Sequence, residues 1–94
     1  MKTQGKRNVY LKMQSFATTT KNLLMQGNVE RANTCLQIVD RLFAKGNNEL
    51  KNAISNVYLY SLTSFLEMYR YDIKSLLPLR LQGEYYKQIN TSSL

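Results

Sequence analysis

The chain contains no histidine and no tryptophan, one cysteine, one proline and four glycines. Without histidine there is no imidazole base for a Ser-His or Cys-His pair, and no His-ligated zinc site. A lone cysteine, Cys35, permits neither an internal disulfide nor a cysteine metal cage. The lack of disulfides suits a reducing compartment. Long hydrophobic runs are missing too. The longest uncharged stretch, Asn52 to Leu66, is interrupted by Asn52, Ser55, Asn56, Ser61, Thr63 and Ser64. A bilayer span needs about 20 mostly apolar residues. The N-terminus, MKTQGKRNVYLKMQ, is basic but lacks the apolar core of a signal peptide. These absences predict a soluble, cytoplasmic protein that does not enter a membrane.

Acidic residues are scarce as well. Thirteen Lys and Arg face six Asp and Glu, for a net charge of +7 over 94 residues. No acid precedes Glu30, whereas Lys2, Lys6, Arg7, Lys12 and Lys21 do. That asymmetry is compatible with a phosphate backbone as partner. The basic residues are scattered, however, and no helix-turn-helix glycine, zinc-finger or RNP pattern accompanies them. The favoured reading is a solvated basic face with weak, non-specific affinity for nucleic acid.

What is present is helical periodicity over one domain, residues 1–94. Residues 1–7 read as a basic flexible tail and 91–94 as a polar tail. From Asn8, the residues Val9, Met13, Phe16, Thr20 and Leu24 share one face, flanked by Tyr10, Ala17 and Leu23. Gly27 ends that helix, Asn28 caps the next and Glu30 sits in its first turn. Val29, Ala32, Leu36, Val39 and Phe43 form a stripe, widened by Cys35, Ile38 and Leu42. Gly46-Asn47 repeats the punctuation, so a third helix runs from about Asn48 to about Tyr71. Its apolar arc is wide: Leu50, Ala53, Ile54, Val57, Tyr58, Leu62, Phe65 and Tyr69, with Leu59 and Leu66 nearly opposite Leu50. Such a helix is buried on more than one side. Asp72 caps a short helix, Ile73 to Leu77, and Pro78 interrupts it. A last helix covers Leu79 to Ile89, weakened by Gly83.

Seven tyrosines and six carboxylates are the remaining chemistry. Tyr58 and Tyr69 read as core rings with their hydroxyls near the surface. Cys35 reads as a small buried hydrophobe, since no neighbouring base is available to activate it. Glu30, Glu49 and Asp72 have helix-terminus roles, Asp40 belongs to a polar face, and Glu67 pairs along its helix with Arg70 and Tyr71. No residue is assigned to catalysis, to a cofactor or to a metal. The candidate partner interface is Leu59, Tyr60, Leu66, Tyr71, Tyr85 and Tyr86. Either a two-fold dimer or the C-terminal segment, folded back as a lid, covers the apolar excess of helix three.

Two resemblances add to this. Phe16 to Gly46, with Gly27-Asn28-Val29-Glu30-Arg31-Ala32 followed by Leu36 and Val39, resembles one tetratricopeptide-type hairpin. The Trp and Gly usual in that family's first helix are absent, and Ala44 stands where Pro is common. Residues 9–90 also resemble a family of short, uncharacterised all-helical bacterial proteins. The similar segments are Tyr10 to Ala17, Gln26-Gly27-Asn28, Cys35-Leu36-Gln37, Lys51 to Tyr58 and Glu84 to Gln88. That resemblance implies a fold and no activity. The expected fold is therefore all-α: three main antiparallel helices, a tetratricopeptide-like hairpin plus a central helix, with a short C-terminal segment interrupted by Pro78. The expected function is a non-catalytic protein–protein interaction or scaffolding domain for an unidentified protein, with a homodimer in view. The runner-up is a basic nucleic-acid-associated accessory protein.

Overall fold

The two Gly-Asn steps set the first half of the fold, and they work by different physics. A computed structural model of the chain describes the backbone of residues 4–92 and the side chains of residues 9–88. Helix α1 (Gln4–Met25) ends at Gly27, whose φ of 81° is left-handed. The Asn28 N–H donates to the Leu23 carbonyl at 2.8 Å and the Gly27 N–H to that of Leu24 at 3.0 Å. These are the paired bonds of a Schellman cap. A Cβ at Gly27 would meet nothing within 4 Å, so glycine serves the dihedral there and not the space. The Asn28 side chain accepts from the Arg31 N–H and starts α2 (Val29–Lys45). Gly46 is instead extended, with φ −75° and ψ 162°. A Cβ at that position would lie 2.8 Å from the Leu42 carbonyl oxygen. Asn47 then accepts from the Leu50 N–H at 2.9 Å and opens the third helix, α3 (48–68).

Helices α1 and α2 pack as an antiparallel hairpin, with Met13, Ala17, Thr20 and Leu24 buried on α1 and Ala32, Cys35, Leu36 and Val39 buried on α2. The predicted stripes are therefore largely right, and Cys35 is a free buried thiol. Four residues of these stripes are not covered: Val29, at the hairpin turn, is 49% exposed, and the flanking residues Tyr10, Ile38 and Leu42 are 36%, 42% and 37% exposed. Ala32 is fully buried. Ala32→Leu is expected to overpack the hairpin and lower stability by about 1–3 kcal/mol. An unchanged denaturation midpoint would mean that the site has room for the larger side chain.

Helix α3 spans 48–68 and changes pitch midway. It is α-helical over Asn48–Ala53, π-helical over Ile54–Leu59, and α-helical again over Tyr60–Met68. A π turn closes i to i+5 and so holds more residues than an α turn. Residues beyond it are rotated back relative to a regular helix. This corrects the sequence reading of Leu59 and Leu66. Counted at α periodicity they lie opposite Leu50, but in the structure both are fully buried in the same core as Ala53, Ile54, Tyr58 and Leu62. They are unavailable as surface interface residues.

The helix also stops short of the predicted Tyr71. Arg70 takes a left-handed φ of 60°. The Tyr71 N–H bonds the Leu66 carbonyl at 2.8 Å and the Arg70 N–H that of Glu67 at 3.2 Å. This is a second Schellman cap, built on an arginine, which gives no sequence signal of a stop. Arg70→Gly is expected to raise stability by about 0.5–1 kcal/mol, because the left-handed region is strained for a residue with a Cβ. Equal or lower stability in urea would show that the Arg70 side chain makes a compensating contribution.

The C-terminal segment is the lid. Asp72 accepts from the Ser75 hydroxyl at 2.7 Å, a bond that holds its carboxyl below the ordinary range. Helix α4 (Ile73–Leu76) follows, and Leu77 is extended before Pro78, as the proline ring requires. Helix α5 (Leu79–Ser92) runs past Ile89 and through Gly83. Its backbone thus includes 91 and 92, just as that of α1 includes 4–7; residues 1–3 and 93–94 lie outside the described residues. Leu77 and Leu81 enter the core. Arg80 donates to the Asp40 carboxylate at 3.0 Å and to its carbonyl at 3.3 Å, tying α5 to α2. Ser55 on α3 donates to Glu84 at 3.0 Å and accepts from Gln88 through its carbonyl at 2.6 Å. Glu67 accepts from the Tyr85 hydroxyl instead of pairing along its own helix. Among the described residues the architecture is all-α, with five helices, four of them long.

Candidate functional site

Tyr60, Ser64 and Met68 recur every fourth residue and so form one stripe on α3. The stripe is about 12 Å long at the helical rise. It faces away from the core that Leu59, Leu62 and Leu66 occupy: Tyr60 is 64% exposed and Met68 72%. Beside it the Schellman turn swings Tyr69 outward, to 58% exposure. Tyr69 was expected in the core, and the early end of the helix is what places it at the surface. Lys21 of α1 borders the same space. The lining residues, Lys21, Tyr60, Ser61, Ser64, Phe65, Met68 and Tyr69, enclose an open groove of about 510 Å³ between α1 and the C-terminal half of α3.

Ring contacts and hydrogen bonds tie the groove to the fold. Phe65 packs on Tyr69, with ring centroids 4.8 Å apart, and on Tyr71 at 5.7 Å. The Tyr71 hydroxyl donates to the Leu24 carbonyl at 3.3 Å, which fastens the end of α3 to the end of α1. The Lys21 ammonium donates to the Ser61 hydroxyl at 2.9 Å across the two helices. One turn away, behind the groove, Thr20 and Tyr58 share a buried hydrogen bond of 2.8 Å. The Thr20 hydroxyl also donates to the Phe16 carbonyl at 3.0 Å. Its single proton being committed, Tyr58 is the donor to Thr20. The hydroxyl of Tyr58 is thus in the interior and not near the surface as its sequence position suggested.

Two phenols are held neutral. Burial raises the pKa of Tyr58. Burial first, and then the Glu67 carboxylate, push Tyr85 up to about 12. A tyrosine in the unfolded chain titrates near pH 10. Above that pH the unfolded state binds fewer protons than the native state, so stability falls as pH rises through the folded values. Below pH about 10 this contribution is fully present. The expected result is a melting temperature that declines above pH about 10, with a late component in tyrosinate absorbance that Tyr58→Phe and Tyr85→Phe remove. A melting temperature that stays level there would overturn the assignment.

Of the six residues expected at an interface, only Tyr60 lines the groove. Leu59 and Leu66 are core residues. Tyr71 is half-buried behind the groove against Phe65. Tyr85 and Tyr86 are on α5, their rings 5.6 Å apart, with Tyr86 39% exposed. Sequence reasoning missed Lys21, Ser61, Ser64, Met68 and Tyr69. The available signal was the fourfold spacing of Tyr60, Ser64 and Met68, out of step with Leu62 and Leu66. No carboxylate lines the groove, and Lys21 is its one charged lining residue. Among the described residues no group of three or more Asp, Glu, Cys or His side chains is placed to hold a metal. No described helix is long and apolar enough to cross a membrane.

No curated protein and no solved structure matches the chain. A family model described as a domain of unknown function (DUF7674) matches residues 1–91, nearly the whole length, and the chain belongs to that family.

Proposed function

We propose that the domain is a non-catalytic protein-interaction module that docks its partner in the groove between α1 and α3. The observation that carries this reading is the exposure of Tyr60, Met68 and Tyr69 together along one groove. Aromatic residues and methionine are enriched in interface cores, and a clustered apolar patch is a common mark of a binding surface. The contact of Lys21 with Ser61 has the donor geometry of a Ser-Lys pair. It fits binding better than acyl transfer: Ser61 is in the interior of a continuous helix, where neighbouring N–H groups are engaged in helical bonds and form no oxyanion hole. The α1–α2 hairpin, with Ala32 and Leu36 fully buried, supports reading the scaffold as tetratricopeptide-like.

The test is a photo-crosslinking residue placed at position 60 of the full chain in its native cells, with position 37, exposed on α2, as control. Discrete heavier adducts from position 60, absent from position 37, are expected. Tyr69→Ser should deplete them. Adducts from both positions alike, or from neither, would remove the groove as the docking site.

A further inference from the structure

The groove combines an apolar wall with a single positive charge, and that combination selects among partners. We infer that its occupant is an acidic amphipathic helix of another protein, with a large apolar side chain in the notch over Ser61 and Ser64 and a carboxylate against Lys21. This inference rests on the reading of the groove as a docking surface.

The shape argument comes from the spacing on α3. Tyr60 and Met68 are two large exposed side chains separated by about 12 Å, with the small Ser64 midway between them. Two knobs flanking a small residue leave a hole for one large side chain, the geometry by which helices interdigitate. Tyr69 lines the same groove. A partner helix laid along it presents its next neighbours three and four residues away, on the side where α1 contributes Lys21.

The charge argument is independent of the shape. The Lys21 ammonium has three N–H groups and donates one to Ser61. Among the described residues no carboxylate pairs with it: the ion pairs are Arg80 with Asp40 and Lys87 with Glu84. Helix α1 contains no acid at all, and the chain carries +7. The field around the groove therefore attracts an anionic ligand. A second copy of the chain is disfavoured for the same reason, since a two-fold contact would bring two +7 chains and both Lys21 side chains together. A nucleic acid would need a row of cations, and the groove offers one.

The experiment pans a displayed library of random helical peptides on the whole protein, and counter-pans on the Tyr60→Ser/Tyr69→Ser double variant. Both changes are at exposed positions, and circular dichroism checks that the variant stays helical. The expected winners carry a large apolar residue with Asp or Glu three or four positions away. They should lose about tenfold or more in affinity on the double variant. Lys21→Gln should weaken them about fivefold and flatten the salt dependence. Winners that need Tyr60 and Tyr69 but carry no acid overturn the acidic partner and leave the groove reading standing. Winners that bind the double variant equally overturn both. Failure to enrich any peptide overturns the inference. So does a sedimenting species of twice 10.9 kDa that Tyr60→Ser dissociates, which would identify a second copy as the occupant.

Discussion

Tyr58→Ala is expected to lower the free energy of unfolding by about 3–5 kcal/mol. Tyr58 heads the fully buried side chains in size and is in the π segment of α3. Its ring meets Phe16 of α1 at a centroid distance of 5.8 Å, and its hydroxyl donates to Thr20 on the same helix. Truncation opens a cavity between the two helices, and the surrounding core relaxes into it only partly. A domain of this size has roughly 5–15 kcal/mol in total, so the loss is a large fraction of its stability. Tyr58→Phe separates the two contributions. It keeps the ring and removes the hydroxyl, while Thr20 still donates to the Phe16 carbonyl. No buried donor is stranded, and the cost should be only about 1 kcal/mol. Urea denaturation of both variants checks the argument. Equal losses would mean that the hydroxyl, and not the ring, dominates.

Leu66→Ala should cost about 2–5 kcal/mol, and the loss should be the same at low and high protein concentration. Leu66 is fully buried in the cluster that Leu77 and Leu81 of the C-terminal segment join. A residue covered within one chain loses the same contacts whatever the concentration. A residue covered by a second copy would be stabilised by mass action, and its truncation would be felt more strongly as concentration rises. Chemical denaturation over a hundredfold range of concentration distinguishes the two. A concentration-dependent penalty at Leu66 would refute the intramolecular lid.

Local chemistry in the amino-acid sequence was enough for the helical class, the breaks at Gly27 and Gly46 and most of the faces of the first two helices. Gly27 and Asn28 act within a few residues of themselves, and the burial of Ala32, Leu36 and Val39 follows from a regular α period. The same local reasoning misplaced Leu59 and Leu66, because the π turn over Ile54–Leu59 changes the period and carries no signal in the local apolar pattern. It misplaced Tyr69, because the cap on Arg70 uses a residue with no intrinsic preference for a left-handed turn. The candidate groove was legible only at Tyr60. Lys21 and Ser61 are forty residues apart in the chain, and their contact exists only once α1 and α3 lie side by side. Periodicity tells which face of a helix is apolar. Which stretch of that helix stays open to a partner depends on how far each neighbouring helix reaches, and that is a property of the assembled core.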